Sequence, residues 1–93
     1  LLVDTISTNP ARIFGLYPRK GSLLPGADAD LVIVDLLRKK RIDPVTAGSR
    51  ADFALREGEP LVGWPVAVCK GGRFLSCDDP GDLTPTGRYL RRA

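Results

Sequence analysis

Histidine is absent from this 93-residue sequence, and its absence restricts the chemistry that the chain can perform. Hydrolytic zinc sites are built from His, Cys and carboxylate ligands around an open position, and serine nucleophiles usually depend on a histidine base. The chain has no Gly-x-Ser-x-Gly turn, and no histidine is available to its serines, which are Ser7, Ser22, Ser49 and Ser76. We therefore expect neither serine hydrolysis nor a histidine-ligated metal centre from these residues.

Methionine is also absent, so Leu1 is not a translation start, and we expect either a processed chain or a piece of something longer. Long apolar runs are missing too, because no stretch approaches the roughly 20 residues that cross a membrane. The opening Leu1–Val3 lacks the basic flank and the length of a signal peptide. No membrane partner is predicted.

Cysteine is scarce, with Cys69 and Cys77 as the whole complement. Two cysteines are too few for a disulfide scaffold, and their spacing matches no zinc pattern. Cys69 lies in an apolar stretch, where an inert buried thiol is more typical than a nucleophile. A reduced, cytoplasmic chain is the resulting expectation.

Charge is nearly balanced, with 14 basic and 11 acidic residues giving a formal net charge of +3. Two short basic clusters, Arg38–Arg41 and Arg88–Arg92, supply much of the excess. Such clusters are a weak signal for nucleic-acid binding. A solvated turn and a solvated tail are favoured over a phosphate-binding patch, and nucleic acid is not an expected partner.

The central feature of the sequence is an apolar run, Leu31–Val34, bracketed by Asp30 and Asp35. Its β-branched composition and short length predict a strand that is buried on both faces. Ahead of it, Pro25 and Gly26 predict a turn. One domain with one small core is the most that this length allows, so the strand must be covered by the chain itself or from elsewhere.

The first residues predict helix. Leu1–Ser7 resembles the last turns of one helix, and Asn9 is predicted to cap a second, short helix with Pro10 in its first position. That helix covers Ala11–Phe14 and ends at Gly15.

Beyond Asp35 the apolar pattern that predicts strands is weak up to Pro60 and is clear again from Leu61. Leu36–Ile42 predicts a solvated turn and a second short strand, and Asp43–Pro60 predicts a long irregular connection. Leu61–Cys69 predicts a strand whose partner begins at Phe74. The glycine pair within Lys70–Arg73 predicts a hairpin turn, because glycine accepts the positive φ of a tight turn.

Two pairs of carboxylates remain as candidate metal ligands. Asp28 and Asp30 precede the apolar strand, where Asp28 can bond its own backbone two residues on. Asp78 and Asp79 precede Pro80 and Gly81, which is a turn signature. Structural turns are favoured over a metal site in both places. We predict no catalytic, cofactor-binding or metal-ligating residue in this chain.

The order of motifs resembles the C-terminal region of cyclic amidohydrolases, in the subgroup of hydantoinase, dihydropyrimidinase, dihydroorotase and allantoinase. The strongest match runs from Thr8-Asn-Pro-Ala-Arg-Ile-Phe-Gly-Leu-Tyr-Pro-Arg-Lys-Gly21 to Gly26–Asp35, and the weakest part is Leu36–Asp52. Later landmarks follow in order: Glu57–Gly58, Gly63–Val66 and Gly87–Arg91. The resemblance covers nearly the whole chain.

The resemblance implies a fold in which a TIM barrel carries a one- or two-metal centre and a smaller β-sandwich is built from both chain ends. Residues 1–20 would be the end of the last barrel helix and a linking helix. Residues 21–77 would be sandwich strands, including a hairpin over 64–77, and residues 78–93 a C-terminal tail. The expected fold class is therefore mainly β with a short N-terminal helical segment, the C-terminal part of the composite sandwich.

The resemblance also implies where the chemistry lies. The family's metal ligands are four histidines, an aspartate and usually a carboxylated lysine, and all lie upstream of the matched segment. No site residue carries over, and no cofactor is expected here, although the parent would use a zinc-type centre to hydrolyse a cyclic amide C–N bond. The implied partners are the missing N-terminal strands and barrel of the parent chain.

Two questions stay open at this stage. Trp64 is favoured as a core anchor beside Pro65, which marks an edge or bulge, but it is also suited to the junction with the barrel or a second subunit. The alternative function is a stand-alone small β module that binds a protein or nucleic-acid partner, supported by charge and size alone. Because open apolar edges pair with other chains, we expect self-association, disorder outside 26–35 and 64–77, or both.

We predict that Cys69 and Cys77 do not form a disulfide. Cross-strand partners around a two-residue loop at Gly71 and Gly72 have numbers with an odd sum, so these two cysteines point to opposite faces. Mass spectrometry before and after reduction checks the prediction. A gain of two protons on reduction would contradict it, and a bulge at either glycine would be the explanation.

Overall fold

The computed structural model describes residues 1–46, 49–79 and 81–92, and it begins with a helical segment that contains one widened turn. Asp4–Thr8 form a π-helical turn, and Asn9–Ile13 continue as the α-helix α1. Pro10 accounts for the widening, because a proline has no N–H and its ring clashes with the carbonyl four residues back. The N–H of Asn9 instead donates to the carbonyl of Asp4, five residues back.

The prediction that Asn9 caps a separate helix is wrong. Asn9 has φ −67° and ψ −44°, which are helical values, and the chain passes through it without a break. The prediction that the helix ends at Gly15 is confirmed. Gly15 has φ 69° and donates to Arg12, while Leu16 donates to Ala11 at 2.8 Å. This pair of bonds is the Schellman motif that commonly ends helices.

Three antiparallel strands form the rest of the regular secondary structure among the described residues. They are β1 (Leu31–Arg41), β2 (Pro60–Lys70) and β3 (Arg73–Ser76), in the order β1-β2-β3. The described chain is therefore mainly β with a short N-terminal helical segment, as expected. The described residues between β1 and β2 form neither helix nor strand, which confirms the long irregular connection. The predicted turn and separate strand over 36–42 are wrong, because β1 continues to Arg41.

β1 continues past Asp35 because a bulge lies between its apolar first half and its basic second half. Asp35 lies opposite Trp64 and Lys39 lies opposite Val62, so β1 has three residues where β2 has only Gly63. The carboxylate of Asp35 accepts the N–H groups of two of these three residues, Leu37 at 2.9 Å and Arg38 at 3.2 Å. The aspartate thus satisfies backbone donors that the ladder leaves unpaired.

A second irregularity lies at Pro65. Ile33 lies opposite Ala67 and Val34 lies opposite Pro65, so Val66 is an extra residue on β2. Proline cannot donate to a ladder, and a bulge is where a sheet tolerates it. The prediction that Pro65 marks an edge or a bulge is confirmed as a bulge, and it lies on the central strand.

The hairpin between β2 and β3 matches its prediction. Gly71 and Gly72 have φ 58° and 83°, as the two central positions of a type I′ turn require. Cys69 lies opposite Phe74, which gives the odd-sum register, and both cysteines are free thiols. The predicted turn before β1 is also confirmed, since Ala27 donates to Leu24 at 3.0 Å around Gly26 with φ 91°.

The apolar surface is largely uncovered within the described chain. The buried residues there are Ala11, Pro44 and Cys69. Val32, Ile33 and Val34 are 55%, 45% and 48% exposed, so the burial expected on both faces of this strand is not supplied by the described residues. One three-stranded sheet has no second layer to place on either face, and a strand without a polar side then remains open to solvent.

We predict that Gly21→Ala destabilises the chain more than Gly26→Ala does. Both glycines have positive φ, but a Cβ at Gly21 would lie 2.6 Å from the Cβ of Ala11 and 3.0 Å from the carbonyl oxygen of Ser7, whereas a Cβ at Gly26 meets nothing within 4 Å. We expect losses of about 3 and about 1 kcal/mol in the free energy of unfolding. Urea unfolding followed by circular dichroism measures both. Equal losses would show that the helix does not pack on residues 14–30, which we call the linker between α1 and β1.

Candidate functional site

Asp28 and Asp30 are part of an ion-pair cluster with Arg19 and Lys20, which we call the Lys20 cluster. The Nζ of Lys20 lies 2.9 Å from Oδ2 of Asp28 and also contacts Oδ2 of Asp30. The Nε of Arg19 lies 3.0 Å from the same oxygen of Asp28. The side chain of Asp28 therefore bonds these cations rather than its own backbone, which the sequence had predicted as its partner.

The cluster joins the linker before β1 to the hairpin turn after β2. The second carboxylate oxygen of Asp30 accepts the N–H of Gly71 at 2.7 Å. The N–H of Gly72 donates to the carbonyl of Ala29 at 3.1 Å. A turn with two positive-φ glycines presents its N–H groups to an acceptor, and here the acceptor comes from the same chain.

The same contacts shift the pKa values of the cluster. The hydrogen bond from Lys20, followed by the one from Gly71, lowers the pKa of Asp30 below its ordinary value of 3.8. Hydrogen bonding to Lys20 likewise lowers the pKa of Asp28, and both carboxylates raise the pKa of Lys20 above 10.5. All three groups therefore stay charged over the neutral range, which suits an ion-pair link rather than proton transfer.

A shallow groove of about 780 Å³ lies beside the Lys20 cluster, between the hairpin and residues 86–90. Its charged rim includes Lys70, Arg73 and Arg88. Arg73 is held by the carbonyl of Asp82 at 2.9 Å and by its carboxylate at 3.4 Å. The groove is lined by neither a histidine nor a cysteine, and both of its carboxylates are bound to Lys20.

The described residues do not fit a metal centre of the kind that the resemblance implies for the parent. No three His, Cys, Asp or Glu side chains in the described ranges converge as ligands would. The nearest approach is Asp28 with Asp30, and their shared Lys20 places a cation where a metal would have to bind. The two other acidic candidates, Asp78 and Asp79, lie in a stretch where Asp78 pairs with Arg38 at 2.8 Å.

The basic cluster Arg38–Arg41 lies in β1, so its prediction as a solvated turn is wrong. Three of its members have partners within the chain. Arg38 pairs with Asp78, the Nζ of Lys40 lies 4.9 Å from the ring centroid of Trp64, and Arg41 donates to the carbonyl of Gly58 at 2.7 Å. Trp64 is half-buried under this lysine, which places it at the sheet surface rather than in a closed core.

The sequence interpretation missed Arg19 and Lys20 as the partners of the two aspartates. A signal was available, since a basic pair and an acidic pair flank the Pro25–Gly26 turn that reverses the chain between them. Oppositely charged residues on the two arms of a short reversal lie close enough to pair.

The chain belongs to the amidohydrolase family, whose model matches residues 1–71. Within this family of hydrolases it is similar to hydantoinases. It is 40% identical over 92 residues to D-hydantoinase of Geobacillus stearothermophilus and 39% identical over 93 residues to D-phenylhydantoinase of Escherichia coli. These matches cover 98% and 97% of this chain.

The solved structures agree with the sequence relatives. The crystal structure of dihydropyrimidinase from Brevibacillus agri has a TM-score of 0.89 with this chain, at 32% identity over 98% of it. In each comparison the chain spans only 20% of the relative's length. The three strands and the helical segment are therefore one part of a larger composite fold. Among the described residues, no helix is both long and apolar enough to cross a membrane.

We predict that Asp30→Asn lowers the free energy of unfolding by about 1 kcal/mol at neutral pH, because it weakens the bonds to Lys20 and Gly71. The pKa of Asp30 is lower in the folded chain, so its contribution is present above about pH 4 and is lost as the pH falls through the folded value. The variant should therefore lose less stability on acidification than the unmodified chain does.

Asp79→Asn is the matched control for this experiment. It removes the same charge, and Asp79 is exposed with no hydrogen bond or ion pair to any residue that the structure describes. Urea unfolding between pH 7 and pH 3 gives both pH profiles. If the two variants had the same profile, the Lys20 cluster would not contribute to stability.

Proposed function

We propose that this chain is the non-catalytic C-terminal structural segment of a hydantoinase- or dihydropyrimidinase-like hydrolase of cyclic amide C–N bonds. In this proposal, residues 1–20 are the end of the last barrel helix and the linking helix. Residues 21–77 are strands of the composite β-sandwich, and residues 78–93 are its tail. Catalysis and metal binding belong to residues outside the chain, and the parent acts in the cytoplasm.

The observation that carries the proposal is the amount of apolar side-chain surface left open. Helical residues such as Ile13 and Phe14 are 77% and 66% exposed, and strand residues such as Val62 and Phe74 are 65% and 62% exposed. A self-sufficient domain buries most such side chains, and exposed apolar surface on this scale is typical of an interface. The chain matches only 20% of each relative's length, so in this proposal the remaining part of a parent of that length is large enough to cover it.

The described contacts suit a structural role for the segment. The Lys20 cluster holds the linker to the hairpin, and the helical segment packs on the linker through Gly21. Together they fix the helical segment relative to the sheet, so that both present their apolar sides to whatever covers them. The proposed partners are the N-terminal strands and the barrel of the parent chain. No observation favours the stand-alone binding module, since most of the basic cluster in β1 is paired within the chain.

We predict that the 93-residue chain alone neither binds zinc stoichiometrically nor hydrolyses hydantoin, dihydropyrimidine or dihydroorotate. The physical reason is that it has no histidine and no converging set of ligands among the described residues. Metal analysis of untagged protein and a hydrolysis assay with added zinc test this expectation. Measurable turnover, or one bound zinc per chain, would contradict it.

The positive half of the experiment uses the longer protein encoded by the full reading frame. We expect it to hydrolyse one of these cyclic amides and to lose both activity and solubility when this segment is deleted. Supplying the segment as a separate chain during expression should restore part of the soluble protein. An active, soluble enzyme that lacks the segment would mean that its role is not structural.

A further inference from the structure

The groove between the hairpin turn and residues 86–90 is rich in cations, and we call it the hairpin–tail groove. Its volume of about 780 Å³ lies within the range of small-molecule sites. Its charged lining consists of four basic and two acidic side chains, which are Lys20, Lys70, Arg73 and Arg88 against Asp28 and Asp30. An open groove with such a lining suits a charged ligand better than an apolar one.

Two of the four cations are neutralised by partners within the chain. Lys20 contacts both carboxylates of the groove, and Arg73 lies 3.4 Å from the carboxylate of Asp82. Lys70 and Arg88 form no ion pair and no side-chain hydrogen bond with any residue that the structure describes. The groove therefore carries the positive charge of these two side chains without a carboxylate that balances it.

The path of the tail brings Lys70 and Arg88 to the same groove. The contact of Arg73 with Asp82 holds the tail beside β3, and residues 86–88 then pass the end of β2. A Cβ at Gly87 would lie 3.6 Å from the Nζ of Lys70, so this ammonium lies against the residue that precedes Arg88. Like charges that share one site repel each other, and an anion between them removes that repulsion.

We propose that the hairpin–tail groove binds a small polyvalent anion between Lys70 and Arg88. The planar guanidinium of Arg88 is suited to two oxygens of one phosphate or carboxylate group, and the ammonium of Lys70 is a compact charge for another oxygen. The hydroxyl of Thr86, which also lines the groove, is a further donor. The site goes beyond the proposed structural role, because it makes the position of the tail depend on a ligand.

The charges favour a polyvalent anion over other small ligands. A metal cation is repelled by the two unbalanced cations, and both carboxylates that could bind it are already bound to Lys20. A monovalent anion balances only one of the two charges. Phosphate chains and polycarboxylates share the required chemistry, so one of each serves as a probe.

The first test measures the binding of tripolyphosphate and of citrate by isothermal titration calorimetry at constant ionic strength. We expect saturable binding at one site per chain. Lys70→Gln and Arg88→Gln should each raise the dissociation constant at least about tenfold, because each variant loses a charge-assisted hydrogen bond. Tighter binding of tripolyphosphate identifies a phosphate ligand, and tighter binding of citrate identifies a carboxylate.

Lys39→Gln and Arg50→Gln are the matched controls, because each removes one exposed charge of the same type and neither residue lines the groove. Lys39 lies opposite Val62, which is about 26 Å along β2 from Lys70 at about 3.3 Å per residue. Both controls should leave the dissociation constant almost unchanged. Far-UV circular dichroism verifies that all four variants keep their strands. The same variants in the longer protein that the full reading frame encodes give the comparison independently of how the segment folds alone.

The second test measures whether the anion holds the tail. Trypsin cleaves after exposed basic residues, and Arg91 lies in the tail but does not line the groove. We expect saturating tripolyphosphate to slow cleavage after Arg91 in the unmodified chain and in Lys39→Gln, but not in Lys70→Gln. Cleavage after Arg50 should keep its rate, which excludes inhibition of the protease by the anion.

Three results would overturn the site. The first is the absence of saturable binding of both anions to both proteins. The second is an equal loss of affinity in Lys70→Gln and Lys39→Gln, because binding would then follow net charge rather than the groove. The third is an unchanged affinity in Arg88→Gln, because the tail would then supply no ligand. The proposed structural role is tested separately by deletion of the segment, so the two can fail independently.

Discussion

The carboxylate of Asp30 is the interaction on which the arrangement of this chain most depends. One of its oxygens contacts Lys20 and the other accepts the N–H of Gly71, so a single side chain joins the linker, the start of β1 and the hairpin turn. The linker in turn lies against the helical segment, where Gly21 allows backbone contact. With so little apolar burial inside the chain, polar links of this kind decide how the helical segment and the sheet are placed relative to each other.

Local structure was predictable at several turns and at the helix end, where a glycine or a proline sets the backbone φ. Gly15 ends the helix, Pro25 and Gly26 turn the chain, and Gly71 with Gly72 closes the hairpin in the register that the loop length requires. These outcomes follow from the φ values that each residue allows, which depend on neighbours in sequence alone. The family was predictable from a resemblance carried by several motifs in order, among them Gly26–Asp35, and the amidohydrolase model matches residues 1–71.

The errors arose where a local preference was outweighed, by a wider helical turn at Asn9 and by distant contacts elsewhere. Asn9 is a good capping residue, but a continuous helix needs only one wider turn to accommodate Pro10. Arg38–Arg41 looked solvated, yet β2 and Asp78 give the cluster partners that no local pattern indicates. The burial expected for Leu31–Val34 requires a second layer of structure, and the described residues form only one three-stranded sheet. The Lys20 cluster was missed for a similar reason, because its ion pairs join residues from the two sides of the Pro25–Gly26 turn.

The two bulges have a consequence for how β1 and β2 can move against each other. One excess lies on β2 at Val66 and the other lies on β1 after Asp35, so the irregularities face in opposite directions across the same ladder. A uniform ladder can slip by two residues and keep its faces, whereas here any slip would push an extra residue on each strand against a regular partner. The two bulges therefore restrict β1 and β2 to one register. A further strand that paired with this sheet would add to a ladder whose register is already fixed.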